Sequence, residues 1–350
     1  MGTNLRDIVN MPAGKMAGKR VLILGTGMFA LALANEILTR PHCGLYVIGL
    51  VTERDHGSVH ALNIPVLGEI TQLQRIILEY KPDRIIVTLN DQAMARHCHS
   101  LVEEKFFRQI QVDDGEEFYE KLTGKLAIDT LSQRSIIYSQ DFQLPAHTLY
   151  VSRALSVVFA LLGLIVMIPL MALIAIVIKL DSPGPVLFIQ KRVGMGHRPF
   201  NLLKFRTMLT AQEKTSEWAG DNAARITRSG HILRKFRLDE LPQFINVLRS
   251  DMNIVGPRPH PVSNYELYAL VSRNTPESGD QIPYYYLRCL VRPGITGWAQ
   301  VKYRYANNLG EEIEKLRFDL YYIKHYSLWL DARILLETIK VVVMGHEHRY

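Results

Sequence analysis

Cysteine is scarce in this chain: three residues in 350, Cys43, Cys98 and Cys289, with no pair at CxxC spacing. That scarcity argues against a disulfide framework and a thiolate metal site, and it points to a reducing compartment. Acidic residues are the minority sign, 34 Asp and Glu against 41 Lys and Arg. The balance favours anionic partners such as phosphates, acidic lipids or nucleic acid without choosing among them. The first 19 residues hold no apolar core of signal-peptide length, so they are expected to form a flexible N-terminus on the cytoplasmic side. MGTNLR places Arg6 where N-myristoylation requires Ser or Thr, which removes that modification from consideration.

The most informative absence is of charge. Between Arg153 and Lys179 there is no Asp, Glu, Lys or Arg at all, and the run Ala154–Ile178 is long enough to cross a hydrocarbon core of about 30 Å as a helix. A buried core helix rarely stays apolar all round for that length, so the segment is expected to enter a membrane. Pro169 lies inside it and is expected to break the helix, either as a bend in a spanning helix or as the turning point of a re-entrant hairpin. Downstream, Lys191–Arg237 carries eleven Lys and Arg against three acids, the charge bias of a cytoplasmic flank.

Upstream, residues 20–113 alternate strand and helix patterns: RVLIL, a helix from Met28, LYVIGLV, a helix near Ile70–Glu79, RIIVTL, a helix near Gln92–Glu103, then RQIQV. Alternation of this kind predicts a parallel α/β sheet of four or five strands, a Rossmann-like layer. Residues 114–146 lose the period and read as a connection. Gly25 and Gly27 form a GxGxxA turn between the first strand and helix, with Glu53 near the end of the second strand, a weak cofactor-binding signal.

The densest chemistry lies in RKFRLDELPQFINVLRSDMNIVGPRP. Asp239 and Glu240 stand side by side after Arg234, Lys235 and Arg237, at the expected start of an amphipathic helix with Pro242 in its first turn. Taken alone, Asp239 could be an N-cap and Glu240 a first-turn dipole partner. Pro257 and Pro259 flank Arg258 and fix its backbone, a rigid mount for a phosphate-binding guanidinium. Arg292 opens a second such motif, RPGITGW.

These pieces, in order with SPGPVLFIQKRVG, FNLLKFRTM, VRPGITGWAQV and FDLYYI, cover nearly all of residues 150–340 and resemble the polyprenyl-phosphate hexose-1-phosphate transferases, the bacterial sugar transferase family of monotopic phosphoglycosyl transferases. The N-terminal half resembles the regulatory domain of larger, exopolysaccharide-initiating members. Two departures qualify the likeness. Small members often carry Ser-Pro at the helix break, where this chain has Ile168-Pro169, and larger members begin with transmembrane helices, none of which precedes the Rossmann-like layer here.

The resemblance implies transfer of a sugar-1-phosphate from a nucleotide-sugar, expected to be a UDP-sugar, to polyprenyl phosphate, at the cytoplasmic face of the bacterial inner membrane. Asp239 would be the nucleophile, forming a phosphosugar-aspartyl intermediate, and Glu240 a metal ligand or its support. Mg²⁺ would be held by the dyad, with Arg234, Arg258, Arg292, Lys204 and Arg206 at the substrate phosphates. Asp319 is expected in support, with Pro257 and Pro259. Cations before the dyad are expected to lower the Asp239 pKa. Membrane lipids are expected partners, nucleic acid is not, and homo-oligomerisation is left open. The expected domains are a flexible 1–19, a Rossmann-like 20–130, a linker 131–150, a membrane-inserted helix 151–181 broken at Pro169, and a mainly helical α+β catalytic domain 182–350. The alternative reading is a membrane-anchored NAD(P)-binding oxidoreductase using Gly25, Gly27 and Glu53.

Overall fold

The computed structural model describes residues 18–53, 64–107, 110–131, 136, 142–209, 225–263, 284–303 and 309–344. The chain divides into two compact units, Met1–Ser132 and Gln133–Tyr350.

The first unit runs β1 (Lys19–Leu24), α1 (Met28–Leu38), β2 (Leu45–Thr52), β3 (Val66–Glu69), α2 (Leu73–Tyr80), β4 (Arg84–Val87), α3 (Asp91–Phe107), β5 (Gln111–Asp114) and α4 (Gly115–Thr123). All five strands pair in parallel, in the order β3-β2-β1-β4-β5. Parallel strands covered on both faces read as unbroken apolar runs, and β1 shows why. Val21 and Ile23 pack with Leu33 and Ile37 of α1, while Leu22 and Leu24 pack with Leu73 and Ile77 of α2. The α/β expectation holds. Two elements were missed: the short edge strand β3, and α4 within the stretch read as aperiodic. A local signal marks α4, because the Asp114 side chain accepts from the Glu117 amide at its start and Gly124 ends it in the left-handed region.

The second unit opens on α5, Ala146–Asp181, a single 36-residue helix about 54 Å long at 1.5 Å per residue. It runs through Pro169, so the expected break is not there, and it starts five residues before the expected 151. Buried positions recur along it at Ser152, Ser156, Ala160, Ile174 and Ile178, a helical stripe facing the rest of the unit. The opposite face, including Leu155, Phe159, Leu162, Ile165, Ile168, Leu173 and Ile176, is exposed and apolar from Ala154 to Ile178.

Next come the antiparallel hairpin β6 (Leu187–Val193) and β7 (Pro199–Phe205), then α6 (Arg228–Lys235), α7 (Gln243–Leu248) and β8 (Asn253–Val255). The chain ends with β9 (Gly294–Thr296), α8 (Trp298–Lys302), α9 (Leu309–Lys324) and α10 (Leu328–Met344). β8 and β9 pair in parallel. Both halves of α5 are packed on this unit. Ala160 joins Leu202, Val247 and Met252, and Ile174 and Ile178 join Phe205 and Leu233. Polar contacts fix its first turns: Ser152 donates to Asp331 at 2.8 Å, and Arg153 donates to the Val247 and Met252 carbonyls at 2.6 and 2.8 Å.

Candidate active site

Asp239 and Glu240 sit in a 3-10 turn, Leu238–Glu240, entered through Arg237 in the left-handed region at φ 53°. Asp239 is therefore not the N-cap of the following helix. That position belongs to Pro242, and α7 is only six residues long. Apolar residues around the dyad set its orientation, since Leu238 and Leu241 pack on Ile174, Ile178 and Leu233.

Glu240 is buried, and its Oε1 accepts from Lys204 Nζ on β7 at 3.1 Å and from Arg258 at 3.2 Å. Burial alone would raise its carboxyl, but the charges of Lys204, Arg258 and Arg237 outweigh burial and hold it down at about 2. Asp239 behaves oppositely. It is half-buried, and among the described residues no donor hydrogen-bonds its carboxylate. Burial raises its pKa, the adjacent Glu240 adds to the rise, and Lys204, Arg258 and Arg234 offset it only in part. The lowering expected from the preceding cations is thus reversed, because burial, with the adjacent Glu240 charge, outweighs the cations around Asp239.

The two proline-glycine motifs prove to be one structure. Gly256 N donates to Thr296 O and Gly294 N to Pro257 O, both at 2.9 Å. A Cβ on Gly294 would stand 2.1 Å from Gly256 N, so only glycine allows this approach. The pairing presents Arg258 to Glu240 and lines a small open pocket with Arg192, Lys204, Gln243 and Arg258.

Lys204, Arg258, Asp239 and Glu240 are therefore brought together, and Arg234 lies near enough for its charge to act on Asp239. Two other predicted phosphate-binding residues are placed elsewhere. Arg206 is buried under the C-terminus of α5 and donates to the Pro183 and Ser182 carbonyls at 2.6 and 2.7 Å. Arg292 donates from Nε to Ser250 O at 3.2 Å, on the side of Arg153, whose own guanidinium binds Ser250 Oγ at 2.9 Å. Asp319 is fully buried and pairs with Arg288 at 2.6 Å. Arg288, His260, Glu312 and Lys315 were missed from sequence. The spacing of Glu312, Lys315 and Asp319, i, i+3 and i+7 on one helix face, was the available signal.

In the first unit, Gly25 has φ 128°, and a Cβ there would meet Thr88 Oγ1 at 2.3 Å. Gly27 flanks the N-terminus of α1. The Glu53 carboxylate is paired with Arg96 at 2.8 Å, so the acid that a dinucleotide ribose would need is already engaged.

A carboxylate pair beside Lys204, Arg258 and Arg234 thus lies on the same unit as a 36-residue helix long and apolar enough to cross a membrane. The chain belongs to the bacterial sugar transferase family, whose sequence profile matches residues 147–345. It is 37% identical over 265 residues to the UDP-N-acetylgalactosamine-undecaprenyl-phosphate N-acetylgalactosaminephosphotransferase of Aeromonas hydrophila, covering 75% of this chain and 59% of that protein. It is 44% identical over 190 residues to the UDP-glucose:undecaprenyl-phosphate glucose-1-phosphate transferase of Escherichia coli K12, covering 53% and 39%. To a protein of the same name in Klebsiella pneumoniae it is 39% identical over 327 residues, covering 92% and 67%. The chain thus spans roughly two fifths to two thirds of these relatives' lengths. None of these relatives bears an oxidoreductase name.

Proposed function

We propose that this chain transfers a sugar-1-phosphate from a UDP-sugar to undecaprenyl phosphate with release of UMP, initiating synthesis of an exopolysaccharide or related glycoconjugate. The observation that carries the reading is the division within the dyad: Glu240 is clamped by Lys204 and Arg258, while the Asp239 carboxylate has no described donor and faces the same cations.

In this mechanism an Asp239 oxygen forms a bond to the phosphorus bearing the sugar, and the bond from that phosphorus to the UMP oxygen breaks, with UMP taking the electron pair. An oxygen of undecaprenyl phosphate then attacks the same phosphorus and the bond to Asp239 breaks, restoring the carboxylate. No proton transfer is required, so the demand on the site is for positive charge, supplied by Lys204, Arg258 and Arg234. Glu240 holds two of those cations in place.

The donor set suits Mg²⁺, which is commonly bound through one or two carboxylates together with substrate phosphates. Asp239 and the second oxygen of Glu240 would hold it, and no cluster of three or more His, Cys, Asp or Glu among the described residues offers an all-protein site. When bound, the ion would neutralise charge on the diphosphate of the donor.

Both ends of α5 would lie on one face of the membrane, the cytoplasmic one. Ser156 and Ile178, about 33 Å apart at 1.5 Å per residue, pack on the same unit, so a straight crossing would carry Lys204, Glu240 and Arg258 to hydrocarbon depth. The exposed apolar face of α5 would meet lipid instead, a reading that keeps the one-sided topology of a re-entrant segment.

The test is UMP release by the purified chain over a panel of UDP-sugars. Release that requires undecaprenyl phosphate for turnover and yields a lipid-linked sugar diphosphate supports the reading, and absence of any transfer contradicts it.

A further inference from the structure

Resting on that reading of Arg258, we infer that Arg288 is a positioning residue that holds the Arg258 backbone against Glu240. The segment Pro257-Arg258-Pro259 includes two residues without an amide N–H, so it has to be fixed largely through its carbonyls. Each of its three consecutive carbonyls accepts from a different element. Pro257 O takes the Gly294 amide at 2.9 Å, Arg258 O takes Arg288 at 3.2 Å, and Pro259 O takes Arg192 of β6 at 3.1 Å. The middle bond belongs to the residue whose guanidinium reaches Glu240 at 3.2 Å.

Arg288 is itself over-determined. It is buried, its Nη2 pairs with Asp319 at 2.6 Å, and its Nη1 contacts Glu312 at 3.3 Å and Tyr285 Oη at 3.1 Å. His260, next in chain to Pro259, packs against the same Nη1 at 2.8 Å. A line of contacts therefore runs from Asp319 on α9 through Arg288 to the Arg258 carbonyl, and through the Arg258 side chain to Glu240. None of the intermediate groups needs to touch substrate.

The test is a double-mutant cycle on the full chain, with Arg288→Lys and Asp319→Asn each made in the wild type and in Arg258→Ala. Asp319→Asn keeps the side-chain shape and serves if Arg288→Lys folds poorly. A displacement of about 1 Å can cost about 10²-fold in turnover. With the neighbouring carbonyls still held, each change should lower kcat/KM by about tenfold in the wild type and by less than about twofold in the Arg258→Ala background. Hydrogen exchange in peptides covering 253–261 should also quicken in both variants. Unchanged exchange in that segment overturns the inference whatever the activity. Quickened exchange with equal, additive losses in both backgrounds overturns it too, leaving Arg288 a part of the core only. If Arg258→Ala itself leaves turnover intact while exchange responds as expected, the fault lies with the active-site reading of Arg258 and not with the contact.

Discussion

Replacing Glu240 with Gln tests the electrostatic core of the site. The folded carboxyl is held at about 2 against an ordinary value of 4.5, a difference worth about 3 kcal/mol at 1.36 kcal/mol per pK unit. Because the folded pKa is the lower one, this stability is complete above about pH 4.5 and is lost as pH falls towards 2. Asp239 works with the opposite sign, since its carboxyl is raised partly by Glu240 and is relieved when that charge goes. The variant also leaves Lys204 and Arg258 without their shared carboxylate, which for buried pairs is strongly destabilising. At about 2–4 °C per kcal/mol for a unit of this size, Glu240→Gln should melt about 6–12 °C below the wild type at pH 7, towards the lower figure because of the Asp239 offset. Tryptophan-fluorescence melting in detergent, scanned from pH 7 to pH 3, reads both effects. The wild type should lose its advantage below pH 4.5 and converge on the variant. Equal melting at pH 7, or an identical acid limb in both proteins, would refute the reasoning.

Other expectations follow from individual placements. Arg206→Met orphans the Pro183 and Ser182 carbonyls at the end of α5 and should lower stability by at least about 2 kcal/mol, well beyond Arg292→Met, which loses one backbone bond at a half-exposed site. Equal melting points for the two variants would contradict the structural role given to Arg206. If both ends of α5 share the cytoplasmic face, single-cysteine variants His147→Cys and Lys179→Cys, both at exposed positions, should resist a membrane-impermeant thiol reagent in intact cells and react in lysed ones. Labelling of either from outside would show that the helix crosses. Because Asp239 must be ionised to attack and its pKa is raised, the acid limb of kcat/KM should lie above that of an ordinary aspartate and move down in any Glu240→Gln protein that still turns over. A limb that stays in place would assign it to another group.

The parallel sheet was legible because its strands are apolar on both faces, and α5 because no charge interrupts it. The edge strand β3 was missed because Val66–Glu69 is four residues of mixed polarity, too short to show a period. Pro169 misled in the other direction: the ring removes one hydrogen bond, and contacts on both sides of it along the packed stripe keep the segment helical through it. In the site, adjacency in sequence located Asp239 and Glu240 but gave the wrong sign for Asp239, since its burial in the fold, which sequence does not show, outweighs the cations near it. Arg206 and Arg292 looked equivalent to Lys204 and Arg258 in composition. Only tertiary placement shows that their hydrogen bonds go to backbone carbonyls, of Ser182 and Pro183 just after α5 and of Ser250 just after α7. The Arg288 network carries no contiguous motif, because its members come from three separated segments.

The central claim is that the unencumbered carboxylate of Asp239 makes the bond to phosphorus. Mass spectrometry of the protein incubated with the UDP-sugar it turns over, without undecaprenyl phosphate and quenched rapidly, tests it directly. The account predicts a mass increase of one sugar phosphate on the peptide containing Asp239, absent in Asp239→Asn and discharged by adding undecaprenyl phosphate. An adduct on Glu240, or full transfer in a ternary complex with no adduct under any quench, would contradict it.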